Sequence, residues 1–125
     1  MSKKFLLPEQ GQFYKANLHC HSTLSDGRLT LEQLKQAYRG QGYAIVAYTD
    51  HNRYAWHPEL CDEGFLALAA YEIDINAPME PGDYNHCRTY HLNFYDNDPQ
   101  AQPADKQANI LAEQRYDCEY INAFI

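Results

Sequence analysis

The sequence predicts a single α/β domain built around a mainly parallel sheet. Residues 13–21 alternate apolar and polar side chains, as a half-buried strand does. Residues 31–38 repeat apolar side chains at helical spacing, and residues 43–49 form a continuous apolar run that is typical of a strand buried on both faces. Strand, helix and buried strand in this order make a βαβ unit, whose two strands run parallel. The length of 125 residues fits one such domain.

The first predicted strand places two histidines on one face. Side chains alternate along residues 13–21, so Tyr14, Ala16, Leu18 and Cys20 are expected on one face, and His19 and His21 on the other. On a strand, His-x-His is the spacing that lets two imidazoles reach one ion, whereas a helix would need His-x-x-x-His. The spacing therefore predicts a chelating pair.

Local signals define the turn and the helix that follow. Ser-Asp-Gly at residues 25–27 is turn chemistry. Thr30 is the predicted N-cap, and Gln33 completes a capping box three residues later. Gly40 or Gly42 is expected to end the helix.

Two further strands are predicted after the βαβ unit, over residues 65–75 and 89–95. Glu72 lies late in the third strand, and His91 lies inside the fourth. A loop with prolines and glycine separates these strands, and an amphipathic helix is expected from Ala104 to the end.

Composition narrows the function classes. The formal net charge is −7 and no basic run occurs, which argues against a nucleic acid held by a basic face. The apolar segment near the N-terminus is too short for a signal peptide, and no apolar run reaches the length of a membrane span. The four cysteines include no C-x-x-C pair. We therefore expect a cytoplasmic protein with reduced thiols and no membrane partner.

Polar side chains are predicted to gather at one edge of the sheet. His19 and His21 end the first strand, His51 directly follows the second, and Glu72 comes late in the third. Functional groups in parallel α/β architectures collect at the carboxyl ends of the strands. His91 lies earlier in its strand and fits this placement less well. Imidazole with carboxylate suits zinc, manganese or iron, so the sequence predicts a transition-metal site.

Simpler explanations exist for each candidate ligand. Histidines at strand ends can bond to the backbone, and Asp26 could merely cap a turn. Asp74 competes with Glu72 because it lies two residues on, on the same strand face. His86, in the preceding loop, competes with His91.

The segments H-C-H-S-x-x-S-D-G and T-D-H-N, followed by a strand-borne Glu and a strand-borne His, resemble the PHP (polymerase and histidinol phosphatase) family. The resemblance covers roughly residues 13–98. It implies a distorted (β/α)7 TIM-like barrel, a site with two or three divalent metal ions (Mn, Zn or Fe), and phosphoesterase activity.

The resemblance also assigns the ligands. His19 and His21 would bind the first metal together with Glu72, and Glu72 would bridge to a second metal held by His91. Asp26 and His51 would bind a third. The family needs no protein nucleophile, because a hydroxide that bridges two metals attacks phosphorus. The catalytic group is thus expected to be metal-bound water, and no substrate-binding residue is indicated.

One departure from the family pattern shapes the domain prediction. The family completes its site with a later His and a late Asp-x-His, and neither follows His91 here. Four predicted strands are also too few to close a barrel. We therefore expect residues 1–125 to be the N-terminal half of a PHP domain, with the C-terminal barrel half absent.

The predicted activity is hydrolysis of a small phosphorylated substrate by a metal-dependent phosphoesterase, a phosphatase-type hydrolase. Two alternatives stay open at this point. One is a truncated, non-catalytic metal-binding half-domain that does no chemistry. The other is a related metal-dependent hydrolase that acts on another bond, such as an amide.

Overall fold

A computed structural model of the chain describes residues 10–54, 56–82, 88–100 and 116–122. Within them, three strands form a parallel sheet in the order β1 (Ala16–Cys20), β2 (Ile45–Tyr48) and β3 (Leu66–Leu68). Helix α1 (Leu31–Gly40) connects β1 to β2. The remaining elements are a short 3-10 helix (Pro58–Leu60), β4 (Ala70–Asn76), β5 (Thr89–Tyr95) and helix α2 (Cys118–Asn122).

The predicted βαβ unit is confirmed, and with it the α/β class. Leu34 of α1 packs into the core that Val46 and Tyr48 of β2 form, together with Phe65 and Ala67. All five side chains are buried, so α1 covers one face of the parallel sheet. This packing fixes the strand ends relative to one another. A closed barrel is not shown within the residues described.

The start of α1 follows the sequence prediction. The Thr30 side chain accepts a hydrogen bond from the Gln33 backbone, and the Thr30 backbone donates to the Gln33 side chain at 2.9 Å. This reciprocal capping box satisfies backbone donors that the first helical turn leaves free. The helix ends at Gly40, and Gly42 then adopts a φ of +78°, which is accessible to glycine at little cost.

Strand β1 departs from simple alternation. Asn17 pairs with Val46 and Cys20 pairs with Tyr48, so β1 uses one residue more than β2 over this stretch. Such an irregularity re-aims side chains locally. Cys20 is buried, whereas Leu18, which alternation places on the same face, is half exposed.

The predicted third strand is two strands. Segment β3 pairs with β2, and after a break at Ala69 segment β4 continues alongside the residues that follow β2. The backbone carbonyl of Ala69 accepts a hydrogen bond from the Asp96 backbone at 2.9 Å. A parallel bridge between His51 and Glu72 holds the second segment in place.

The fourth predicted strand, β5, has the expected bounds but the opposite direction. It pairs antiparallel with β4, beside a three-stranded sheet that is parallel. The connection of residues 77–88 carries Pro78, Pro81 and Gly82, which do not support the crossover helix that joins parallel strands. Of the helix predicted from Ala104 onward, Cys118–Asn122 is helical, and residues 104–115 and 123–125 lie outside the described residues.

Candidate metal centre

The six residues predicted as metal ligands lie together beyond the carboxyl ends of β1 and β2. Three come from β1 and the turn that follows it, one comes from the segment after β2, and one each comes from β4 and β5. They are His19, His21, Asp26, His51, Glu72 and His91. The convergence that we expected from their positions along the strands is therefore present, and their role as ligands stays a prediction.

Glu72 is at the centre of this cluster, and its side chain is 2% exposed. Its Oε1 lies 3.1 Å from His91 Nδ1 and 4.0 Å from His19 Nε2. Its Oε2 lies 3.0 Å from His21 Nε2 and 3.1 Å from His51 Nδ1. One buried carboxylate is thus surrounded by four imidazoles.

The donor atoms fall into three overlapping groups, each gathered within 4.8 Å. The groups are His19, His21 and Glu72; His51, Glu72, Asp74 and His91; and His21, Asp26 and His51. Glu72 belongs to two of them, as a carboxylate that bridges two ions would. Each group mixes imidazole nitrogen with carboxylate oxygen, which is the donor chemistry of zinc, manganese or iron sites.

Two buried atoms in the cluster test whether a metal fits. Within the described part of the chain, His21 Nε2 and Glu72 Oε2 have no hydrogen-bond partner, although they lie 3.0 Å apart. Buried polar atoms normally find partners, and each unsatisfied one costs free energy. A divalent cation at this point would satisfy both atoms. The cluster could therefore hold a metal ion.

Asp26 lies on the solvent side of the cluster, and its side chain is 66% exposed. Its Oδ1 lies 2.7 Å from His21 Nδ1, and its Oδ2 lies 3.6 Å from His51 Nε2. The hydrogen bond with His21 lowers the pKa of Asp26 below its usual value, which favours the ionised carboxylate that a metal would need.

A buried carboxylate anchors the turn that carries His21 and Asp26. Asp50 is fully buried and accepts hydrogen bonds from the Ser22 backbone at 2.8 Å, the Ser22 hydroxyl at 2.9 Å and the Ser25 hydroxyl at 2.8 Å. Since Asp50 lies two residues after the end of β2, this network ties the turn after β1 to the end of the neighbouring strand. The two serines of the S-x-x-S segment and the aspartate of the T-D segment therefore hold the turn that carries His21 and Asp26.

The antiparallel direction of β5 explains where His91 lies. In the β4–β5 ladder, His91 is opposite Asp74 and Asn93 is opposite Glu72. Opposite residues point to the same side of a sheet, so His91 reaches the cluster from early in its strand. His86, the competing candidate, lies outside the described residues.

Sequence reasoning missed the contacts that surround His19. Its Nδ1 lies 2.8 Å from the Thr49 hydroxyl and 3.1 Å from Asn93 Oδ1. The Thr49 hydroxyl also donates to the Cys20 carbonyl, so both neighbours can accept a proton from Nδ1. That arrangement would leave Nε2, which faces Glu72, free to bind a metal. Strand alternation could have indicated that Asn93 lies on the same face as His91. The contact of Asn93 with His19 depends on the antiparallel pairing of β5, which the sequence did not predict.

Comparison with known proteins places the chain beside enzymes that process nucleic acids. A DNA polymerase/3'-5' exonuclease PolX from Bacillus subtilis is 39% identical over 75 residues, which are 59% of this chain and 13% of that protein. A 5'-3' exoribonuclease from Haemophilus influenzae is 31% identical over 104 residues, which are 81% of this chain and 36% of that protein. No protein-family model matches the chain.

The chain thus spans well under two thirds of the length of either relative. Both relatives carry the names of nucleic-acid-processing enzymes, which agrees with the predicted hydrolase at the level of a broad class. Among the described residues, no helix has the length and apolarity needed to cross a membrane.

Proposed function

We propose that this chain carries part of the active site of a metal-dependent phosphoesterase of the PHP type, with the barrel architecture of that family. The observation that supports this most is that the buried carboxylate of Glu72 lies 3.0 to 3.1 Å from ring nitrogens of His21, His51 and His91. The similarity to PolX adds support to the resemblance of the H-C-H and T-D-H-N motifs.

In this proposal the residues divide the work by position. His19 and His21 would hold one ion together with Glu72, and His91 would hold a second ion with the same carboxylate. Asp26 and His51 would hold a third. Bound divalent metals would supply an activated water and neutralise charge on the phosphoryl oxygens. The buried setting of Glu72 keeps water away from the inner side of the cluster, which strengthens electrostatic interactions there.

The substrate is proposed to be a phosphate ester. The sequence alone favoured a small phosphorylated molecule, whereas the names of the two relatives favour the phosphodiester of a nucleic acid. Both substrates present the phosphoryl group that the metals would hold. With a net charge of −7, the chain would depend on the metals rather than on a basic face for attraction.

A second candidate function is a metal-binding half-domain without catalysis. The observation that favours it is the absence from the sequence of any His after His91 and of any Asp-x-His. By the family pattern, each ion would then lack one ligand. Loosely held ions would not fix the spacing that in-line displacement requires.

Parallel assays of two chains test the proposal. With Mn²⁺, the 125-residue chain is expected to hydrolyse 4-nitrophenyl phosphate, bis(4-nitrophenyl) phosphate and a labelled oligonucleotide only weakly. A longer chain that adds a His and an Asp-x-His should be active. In that chain Glu72→Gln should reduce turnover by about 100-fold or more, because the carboxylate that spaces the ions is lost. Glu63→Gln, at an exposed acid outside the cluster, is the matched control.

The assay has two outcomes that contradict the proposal or part of it. An inactive longer chain that carries all the ligands and binds Mn²⁺ would overturn the phosphoesterase assignment. Rapid turnover by the 125-residue chain, lost in Glu72→Gln, would show that the site is complete without the later ligands.

A further inference from the structure

Asp74 lies beside the six predicted ligands and has a different set of contacts. It comes two residues after Glu72 on β4 and therefore points to the same face. Its side chain is 21% exposed. Its Oδ1 lies 2.9 Å from His51 Nδ1 and 3.3 Å from His91 Nδ1. The carboxylate thus faces the Nδ1 atoms of two histidines.

Asn52 holds Asp74 from the other side. The Asn52 side chain donates to Asp74 Oδ2 at 3.4 Å and accepts from the Asp74 backbone at 3.3 Å. The Asn52 backbone donates to the Glu72 carbonyl at 2.6 Å. Asn52 has a φ of +51°, in the left-handed region that asparagine tolerates better than most residues. The contacts between Asn52 and Asp74 therefore continue the pairing that the bridge between His51 and Glu72 begins.

The two nitrogens of His51 consequently face different partners. Nδ1 lies 2.9 Å from Asp74 Oδ1 and 3.1 Å from Glu72 Oε2, but only the contact with Asp74 has hydrogen-bond geometry. Nε2 lies 3.6 Å from Asp26 Oδ2, in the group that also contains His21. A neutral imidazole carries one N–H and one lone pair. If Nδ1 holds the proton and donates it to Asp74, the lone pair is on Nε2 and points at the outer metal position.

We propose that Asp74 is a positioning residue that fixes His51 in its Nδ1–H form, so that Nε2 binds the outer metal with Asp26. This inference rests on the metal site proposed above. Carboxylates that accept the second N–H of a metal-binding histidine orient the ring and raise the basicity of the binding nitrogen. Asn52 contributes by holding Asp74 in place.

The rival arrangement makes Asp74 a direct ligand. In that case a metal would bind Asp74 Oδ1, Glu72 and the Nδ1 atoms of His51 and His91, which lie close enough together. His51 would then bind through Nδ1 and carry its proton on Nε2. The two arrangements therefore differ in one observable, the nitrogen of His51 that binds.

Nitrogen NMR on the ¹⁵N-labelled chain distinguishes them. In metal-free protein, in mildly alkaline buffer where imidazoles are normally neutral, the long-range ¹H–¹⁵N spectrum of His51 should show the Nδ1–H tautomer. With ¹¹³Cd²⁺ bound, the scalar coupling to cadmium should appear on Nε2. His51→Gln assigns the signals.

Variants test the contribution of Asp74. Asp74→Asn keeps the shape of the side chain but can present an N–H to His51, so the Nδ1–H fraction should fall and Cd²⁺ affinity should drop about 10- to 100-fold. Asn52→Gly accommodates the positive φ without the side-chain pair and should give a smaller loss in the same direction. Asp98→Asn, at an exposed aspartate outside the cluster, should leave both readouts unchanged.

Cadmium coupling on Nδ1, or an unchanged tautomer and affinity in folded Asp74→Asn, would overturn the positioning role. The result does not depend on turnover. The expected tautomer and coupling, together with a longer chain that carries the later ligands and hydrolyses no phosphate ester, would uphold Asp74 and overturn the phosphoesterase. A chain that binds no Cd²⁺ would overturn both.

Discussion

At the scale of single residues, Glu72 shows how the cluster combines burial with charge. A buried carboxylate is costly unless it is paired, and Glu72 has imidazoles within 3.1 Å on both oxygens. One of these oxygens still lacks a hydrogen bond within the described part of the chain. A buried carboxylate in this state is explained better by ion binding than by stabilisation of the fold. An apolar side chain of similar size would avoid the free-energy cost of burying a charge.

Asp62 shows the opposite case, a carboxylate that stabilises the fold. Its Oδ2 lies 2.7 Å from both the Lys35 ammonium and the Arg39 guanidinium of α1. The hydrogen bond from Lys35, with help from the Gly64 backbone, lowers the pKa of Asp62 from 3.8 to about 2. The turn before β3 is thereby joined to the helix.

A pH prediction follows from this shift. Because the pKa is lower in the folded than in the unfolded chain, the stabilisation is present above the unfolded value and is lost as pH falls toward the folded one. The difference in urea midpoint between the native chain and Asp62→Asn should therefore shrink between about pH 4 and about pH 2. Glu63→Gln, at the exposed neighbour, should show no such change. A pH-independent difference for Asp62→Asn would contradict this.

The convergence of His19, His21 and His51 could be predicted from local signals, whereas the placement of Glu72 and His91 rested on their order along the chain and on the family resemblance. His19 and His21 follow from strand alternation, and His51 from its place directly after a buried strand. The contacts of Asp74 and Asn93 could not be predicted in the same way. They depend on the direction and register of β5, which are set by packing between segments distant in the sequence.

At the scale of elements, the turn after β1 is under tight steric control. The Gly27 backbone donates to the Ser22 carbonyl at 2.9 Å. A Cβ at Gly27 would collide with the backbone of His21 and Ser22. Only glycine fits there, and the turn carries both His21 and Asp26 toward the cluster.

Gly27→Ala should therefore displace the turn, and metal affinity should fall more than stability. We expect a loss of affinity for Mn²⁺ of about 10-fold or more, since a metal site tolerates little displacement of its ligands. Gly40→Ala is the matched control: a Cβ there meets no atom within 4 Å. It lies at the end of α1 and should be neutral or slightly stabilising. Calorimetric titration with thermal denaturation of both variants checks this, and equal Mn²⁺ affinities would contradict it.

Helix α1 and strand β1 show which elements a sequence specifies. The capping box of α1 depends on side chains three residues apart, so the sequence predicted it correctly. The extra residue in β1 arises from pairing with β2, and Leu18 is half exposed although alternation places it on the same face as Cys20. The Asn17 side chain donates to the His19 carbonyl at 2.9 Å within this irregular stretch. Irregular pairing of this kind is common beside functional sites.

At the scale of the whole molecule, the parallel sheet and the β4–β5 pair meet at the cluster. The bridge between His51 and Glu72 is one of the contacts between the two units, and the candidate site lies on this junction. The βαβ core could be predicted from periodicity, whereas the split of the third strand at Ala69 could not, because nothing in the local pattern marks it. The site therefore depends on both units being correctly joined.

The central claim is that these residues form a metal site, and titration calorimetry with Mn²⁺ and Zn²⁺ tests it most directly. The chain should bind, and the double variant His19→Ala/His21→Ala should lose most of the affinity, about 100-fold or more, because the chelating pair is gone. His57→Ala is the control, since His57 lies outside the cluster and contacts Glu59. Unchanged affinity in the folded double variant would contradict the account.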